Sequence, residues 1–169
     1  AKVGKWVEDI GIKFLQGYGL TETAPIAALT PEYEQARYAS TGKAVKDTDI
    51  KLRNINEAGE GEILIKGPTV MLGYYEDEEA TSEVMEDGYF CSGDIGRIDS
   101  DGFIYITGRS KNVIVTQNGK NIYPEEIELM LGEIPEISEC MVYGKKESED
   151  AHDKELIITA KIIPNYAKI

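Results

Sequence analysis

Residues 108–128 read GRSKNVIVTQNGKNIYPEEIE, and this stretch decides how the chain is divided. A strand that closes on Gly108 meets two cations, Arg109 and Lys111, with only Ser110 between them. A β-branched run follows, Val113-Ile114-Val115-Thr116. Then come a turn, Gln117-Asn118-Gly119-Lys120, and a short return strand, Asn121-Ile122-Tyr123. Asn118-Gly119 supplies the positive-φ positions that a tight hairpin needs. Pro124 suits the first position of a helix, where its missing N–H would have no partner anyway. Glu125 and Glu126 complement the positive end of that helix. The stretch therefore predicts a joint, with residues 1–107 forming one unit and 108–169 another.

Upstream of the joint the pattern is mostly β. Residues 49–53 and 60–66 alternate with period two around an Asn56-Glu57-Ala58-Gly59 turn. Residues 89–91, 95–98 and 103–106 are further strand candidates, separated by Ser92-Gly93-Asp94 and by the turn Asp99-Ser100-Asp101-Gly102. Residues 1–10 have helical spacing with Gly11 as a stop, residues 12–15 read as a short strand, and 77–85 as an acidic helix whose first carboxylates suit its N-terminus. Downstream, Ile127, Leu129, Met130, Leu131 and Ile134 line a helix, and 140–143 and 156–163 are strand candidates around a polar loop holding the single histidine, His152. The fold class is α+β: a distorted antiparallel barrel or sheet, then a small lobe in which strands and a helix alternate.

Composition narrows the function. The formal charge is −13, from 18 basic and 31 acidic residues. Such a surface repels phosphate backbones and argues against nucleic-acid binding. It reads as a soluble cytoplasmic surface. Cys91 and Cys140 have no CxxC spacing and read as buried free thiols rather than a disulfide or metal site. No apolar run approaches the ~18–20 residues that span a bilayer, and no signal-peptide pattern is present. One histidine and no nucleophile elbow leave a Ser/His/Asp hydrolase without support. The chain starts at Ala1 without a methionine and stops just after an apolar strand and a Pro164-Asn165 turn. It reads as a piece of something longer.

Two places can carry chemistry. In Gln16-Gly17-Tyr18-Gly19-Leu20-Thr21-Glu22-Thr23, glycines flank a tyrosine, so a flat ligand can approach the backbone and stack on the ring. Thr21 can donate to a phosphate oxygen, and Glu22 can hold a hard cation such as Mg²⁺. The same residues also read as an ordinary loop capped by Thr21 or Thr23. It is neither a GxGxxG nor a GxxxxGK[ST] loop. Asp94, between Gly93 and Ile95 where a strand begins, can accept two hydrogen bonds from a ribose, or can form an Asx-turn.

Taken together and in order, QGYGLTETAP (16–25), GEILIKGPTVMLGYY (61–75), GYFCSGDIG (88–96) and the 108–128 stretch resemble the signatures of the adenylate-forming superfamily. This superfamily contains acyl-CoA synthetases, firefly luciferase and peptide-synthetase adenylation domains. The long Gln117-Asn118-Gly119 turn looks most like AMP-forming long-chain fatty acid–CoA ligases. The resemblance implies that a fatty acid reacts with ATP to give acyl-AMP and pyrophosphate, after which the thiol of coenzyme A displaces AMP. It implies that Gly17, Tyr18 and Gly19 line the adenine, with Tyr18 stacking on it. Thr21 would contact the α-phosphate, Glu22 would carry Mg²⁺, and Asp94 would hold the ribose hydroxyls. Arg109 would reach the ribose or phosphate. Lys111 would be the hinge about which the small domain turns between the two half-reactions, and Gly119 would lie on the loop that closes over the pantetheine path.

Residues 1–107 would then be the C-terminal part of the large AMP-binding domain, and 108–169 the incomplete start of the small one. Nothing here resembles the family's phosphate loop, which belongs upstream of Ala1. Neither Lys161 nor Lys168 sits in the motif of the catalytic lysine, which belongs beyond Ile169. The chain alone is therefore expected to be inactive. A shorter-chain or aryl acid ligase, or a non-catalytic interaction module on the same fold, is the alternative. Peripheral membrane association of the parent is left open.

Overall fold

The computed structural model describes residues 2–31, 37, 39–116, 121–146 and 156–169. It divides into two compact units, Ala1–Ile106 and Thr107–Ile169. Among the described residues, no helix is long and apolar enough to cross a membrane, and Cys91 and Cys140 are both free but half-buried rather than buried.

The first unit opens with helix α1 (Lys2–Asp9), which ends before Gly11 at φ 84°. The strand expected over residues 12–15 does not form. The Ile12 N–H is spent on the Val7 carbonyl, 3.1 Å away, and Ile12 and Leu15 are exposed. With no neighbouring strand to pair with, apolar content alone does not make a strand. Pairing begins at β1 (Gly17–Tyr18), which runs antiparallel to β2 (Ala28–Leu29); β2 in turn pairs with β3 (Lys43–Ala44).

A second sheet contains β4 (Asp49–Arg53), β5 (Gly61–Lys66), β6 (Met85–Glu86), β7 (Tyr89–Ile98) and β8 (Ile104–Arg109). Its order is β4-β5-β7-β6, with β8 also on β7. The β4–β5 hairpin has the expected turn: Asn56 Oδ1 accepts from the N–H groups of Ala58 and Glu60. Helix α2 (Glu78–Val84) is the acidic helix, capped by the Asp77 carboxylate on the Ala80 N–H at 2.9 Å. Between β7 and β8, Asp99 Oδ1 accepts from Asp101 and Phe103 N–H. Arg37 pairs with Asp99 and lies 4.1 Å over the Phe103 ring.

Ala27, Ala28, Ile63, Ile65 and Ile104 form the core of this unit, with Tyr18, Leu20, Ile50, Leu52, Val70, Ile98 and Ile106 packed on it. Both sheets therefore close on one cluster, and Tyr18 belongs to it. Ile63 is fully buried, so Ile63→Ala should cost about 2–5 kcal/mol of unfolding free energy. Urea denaturation of this chain checks it; a loss below about 1 kcal/mol would remove Ile63 from the core.

In the second unit, β9 (Ile114–Val115) pairs antiparallel with β10 (Asn121–Ile122), and α3 (Pro124–Leu131) follows with Pro124 in its first turn. A long antiparallel hairpin, β11 (Ile137–Lys146) with β12 (Leu156–Pro164), completes the unit. The helix stops at Leu131 rather than running on to Ile134. After Gly132 the N–H groups of Glu133 and Ile134 bond only three residues back, to the Met130 and Leu131 carbonyls, and Pro135 lacks the N–H that a longer helix would use. Leu129 and Met130, read as lining this helix, are exposed at 75% and 64%. The Gln117-Asn118-Gly119-Lys120 turn and His152 lie outside the described residues.

Candidate functional site

The loop from Gly17 to Thr23 is held by its own chain. A Cβ on Gly19 would sit 1.7 Å from the Pro25 carbonyl oxygen, and one on Gly17 3.2 Å from that of Ala28. Gly19, assigned to a flat ligand, is thus required first by the close pass of Pro25, while Gly17 is only tightly placed against Ala28. After Gly19 the chain turns through a short 3₁₀ segment, Thr21–Thr23. The capping residue is Thr23, not Thr21. Its hydroxyl accepts from Leu20 N–H at 2.9 Å and donates to the Leu20 carbonyl at 3.0 Å, and it is fully buried. Thr21 remains exposed on the outer side of the turn.

Asp94 is placed by a bulge. Leu64 pairs with Cys91 and Glu62 with Ile95, so Ser92, Gly93 and Asp94 together face the single residue Ile63. The strand does not begin at Asp94, as the sequence suggests; β7 runs through it with two residues in excess, and Gly93 takes φ 71°. The polar groups of the bulge are satisfied locally. Ser92 Oγ donates to the Ile63 carbonyl at 2.7 Å and accepts from Asp94 N–H at 3.1 Å. Gly93 N–H donates to Glu62 Oε1 at 3.2 Å, while Glu62 Oε2 holds Arg53 at 2.6 Å. Asp94 is 4% exposed. Its Oδ2 accepts the Tyr18 hydroxyl at 2.7 Å, across 76 positions of sequence. It thus reaches across the unit rather than closing an Asx-turn alone.

Glu22 lies one residue past Thr21 and is half-buried. Its Oε1 accepts the Tyr74 hydroxyl at 3.0 Å, and its carbonyl accepts Met71 N–H at 2.8 Å. Burial, reinforced by Glu22, pushes the Tyr74 phenol above its ordinary pKa. Among the described residues no group of three or more His, Cys, Asp or Glu side chains gathers as a metal site. A single carboxylate fits Mg²⁺ nonetheless, because that ion is usually held by one or two carboxylates with water and substrate phosphates filling the rest. Two sequence-selected carboxylates are therefore each held by a tyrosine. Tyr74 was missed by the sequence reading, although it stands in a stretch already singled out.

In the second unit, Arg109 and Lys111 are exposed. They sit in a turn closed by Asn112 N–H on the Arg109 carbonyl at 3.0 Å. Asn112 Nδ2 donates to Glu125 Oε1 at 2.6 Å, and Gly108 lies against Tyr123, which a Cβ would meet at 2.8 Å. Lys111 lines a cleft of ≈ 400 Å³ with Asn112, Pro124, Glu125, Glu128 and Tyr143 among its walls. Gly119 lies outside the described residues.

Mostly antiparallel sheets thus carry a part-buried tyrosine–aspartate pair, with a tyrosine-held glutamate on the neighbouring loop. The AMP-binding enzyme family matches residues 1–75, and the chain belongs to the adenylate-forming superfamily. It is 36% identical to an indoleacetate–CoA ligase of Aromatoleum aromaticum over 91% of this chain and 30% of that protein. It is 38% identical to a long-chain-fatty-acid–CoA ligase of Mycobacterium bovis over 85% of this chain and 23% of that protein. The o-succinylbenzoate–CoA synthetase of Bacillus subtilis, solved with its acyl-adenylate intermediate, superimposes with a TM-score of 0.85 at 30% identity. That match covers 97% of this chain and 34% of that one. The same enzyme has been solved with ATP and magnesium ion. The chain spans less than a third of the length of these two curated relatives.

Proposed function

We propose that the chain supplies the nucleotide pocket and the hinge segment of an AMP-forming acid–CoA ligase acting on long-chain fatty acids in the cytoplasm. Residues 1–107 belong to its large AMP-binding domain in this reading, and 108–169 to its small domain. The observation that carries the proposal is the 2.7 Å bond between Tyr18 and Asp94. The resemblance gives these two residues to adenine and ribose, two parts of one nucleoside, and the fold brings them into contact from distant stretches.

In the first half-reaction the acid's carboxylate oxygen attacks the α-phosphorus of ATP and pyrophosphate leaves. In the second, the thiol of coenzyme A attacks the acyl carbon and AMP leaves. Tyr18 offers its ring to adenine. Asp94, already buried and oriented by the bulge, exchanges the phenol for ribose hydroxyls. Thr21, exposed at the turn, donates to the α-phosphate. Glu22 is the residue to hold Mg²⁺, which when bound neutralises developing charge on the phosphates.

The long-chain reading is supported by the 108–128 stretch and by the mycobacterial relative. A second reading, an aryl acid, is favoured by the indoleacetate and succinylbenzoate relatives. ATP–pyrophosphate exchange by the full-length parent, with palmitate, indoleacetate, ferulate and succinylbenzoate in turn, tests both. Exchange with palmitate and little with the aryl acids is expected. The reverse order would replace the long-chain reading with the aryl one, and no exchange with any acid would refute ligase activity.

A further inference from the structure

Residues 71–75 do more than present a turn. Leu72 is fully exposed and Tyr75 is 90% exposed, yet Tyr74 between them turns back to 38%. Its backbone is fixed from the helix side. Tyr74 N–H donates to Thr81 Oγ1 at 2.9 Å, Thr81 Oγ1 donates to the Asp77 carbonyl at 2.7 Å, and a Cβ on Gly73 would meet Thr81 Cγ2 at 2.9 Å. Its side chain then reaches Glu22 at 3.0 Å, while Met71 N–H holds the Glu22 carbonyl at 2.8 Å. One short loop, anchored on α2, thus grips Glu22 at backbone and side chain.

We propose that Tyr74 is a positioning residue for Glu22, fixing which carboxylate oxygen is free to meet a divalent cation. This role rests on the adenylation reading. Of the two Glu22 oxygens, the one bonded to Tyr74 is engaged, and the other is left for the metal. An outer partner of this kind restricts the carboxylate rotamer, so the ordering is done before the cation arrives. The Tyr74 hydroxyl is bonded to Glu22, so in this reading its loss acts through Glu22.

The test is Tyr74→Phe in the full-length parent, which keeps the ring and removes one hydroxyl. Mn²⁺ affinity in the presence of ATP, with the acid omitted, is read by electron paramagnetic resonance. It should fall about tenfold, the low end of what losing such a partner costs. The Mg²⁺ concentration for half-maximal pyrophosphate exchange should rise in step, with saturating Mg²⁺ restoring the rate and the melting temperature unchanged. In the Glu22→Gln background the same change should lower Mn²⁺ affinity no further. Unaltered Mn²⁺ affinity in Tyr74→Phe, or an equal loss in both backgrounds, overturns the inference while leaving adenylation standing. A wild-type parent without exchange overturns the adenylation reading and this role together.

Discussion

Asp94→Ala in the full-length parent is expected to raise the KM for ATP by roughly ten- to a hundredfold. Hydrogen bonds to a charged acceptor are worth about 1.5–3 kcal/mol, and about 1.4 kcal/mol is a tenfold change in an equilibrium constant. The carboxylate is 4% exposed and bonded to Tyr18 at 2.7 Å. The substitution therefore removes the acceptor of this Tyr18 bond and gives ribose no carboxylate. Tyr18→Phe separates the two effects. It removes the phenol's bond to Asp94 but leaves the carboxylate and the ring, so the KM for ATP should change far less than in Asp94→Ala. Both are read from initial rates of pyrophosphate exchange against ATP concentration. Should Asp94→Ala lower the melting temperature while ATP dependence stays at the wild-type value, Asp94 is a residue of the bulge and not of the nucleotide pocket.

What could be read from the sequence depended on how local its cause was. The β4–β5 hairpin was legible because period-two alternation and the Asn56 turn lie within one short stretch, and the register agrees with it from Asp49↔Lys66 to Arg53↔Glu62. The acidic helix start near residue 77 was legible for the same reason, although Asp77, read as its first residue, is the cap. Asp94 could be chosen from its neighbours, but not its setting. The bulge exists only because Ile63 faces three residues of another strand, a relation set by the register of β5 on β7. Ser92 and Glu62 bind the bulge together and carried no local mark of that role. Residues 12–15 show the opposite failure, where apolar content suggested a strand that no partner was present to complete. Nothing in Gly73-Tyr74-Tyr75 indicates which tyrosine turns inward, since that is decided by Thr81 on α2. The exposure of Leu129 and Met130 was likewise hidden, because helical spacing marks a face without saying that anything covers it.

Lys111→Pro is the variant expected to split the two half-reactions. The hinge reading places a rotation here, and the turn Arg109–Asn112 is where the chain can absorb it. Immediately beyond, Asn112 is tied to Glu125 of α3 at 2.6 Å. A change of dihedral angles must therefore fall before Asn112 if the second unit is to move as one body. Proline at 111 locks φ near −65°, removes an N–H, and restricts Ser110 toward extended conformations. Acyl-AMP formation, which needs a single pose, should continue at a rate close to wild type. Transfer to coenzyme A should fall by orders of magnitude, because lids and domains that cannot move withhold the step they gate. If the ammonium itself acted in chemistry, Lys111→Ala would already damage adenylation and proline would add little. Single-turnover measurement of acyl-AMP and of thioester, on both variants of the parent, distinguishes these outcomes. Equal loss of both steps in the proline variant, with unchanged circular dichroism, would rule out the hinge. Because Asn112 and Glu125 limit the movable segment from one side, Asn112→Ala should loosen it. Its effect should appear in thioester formation before it appears in adenylation.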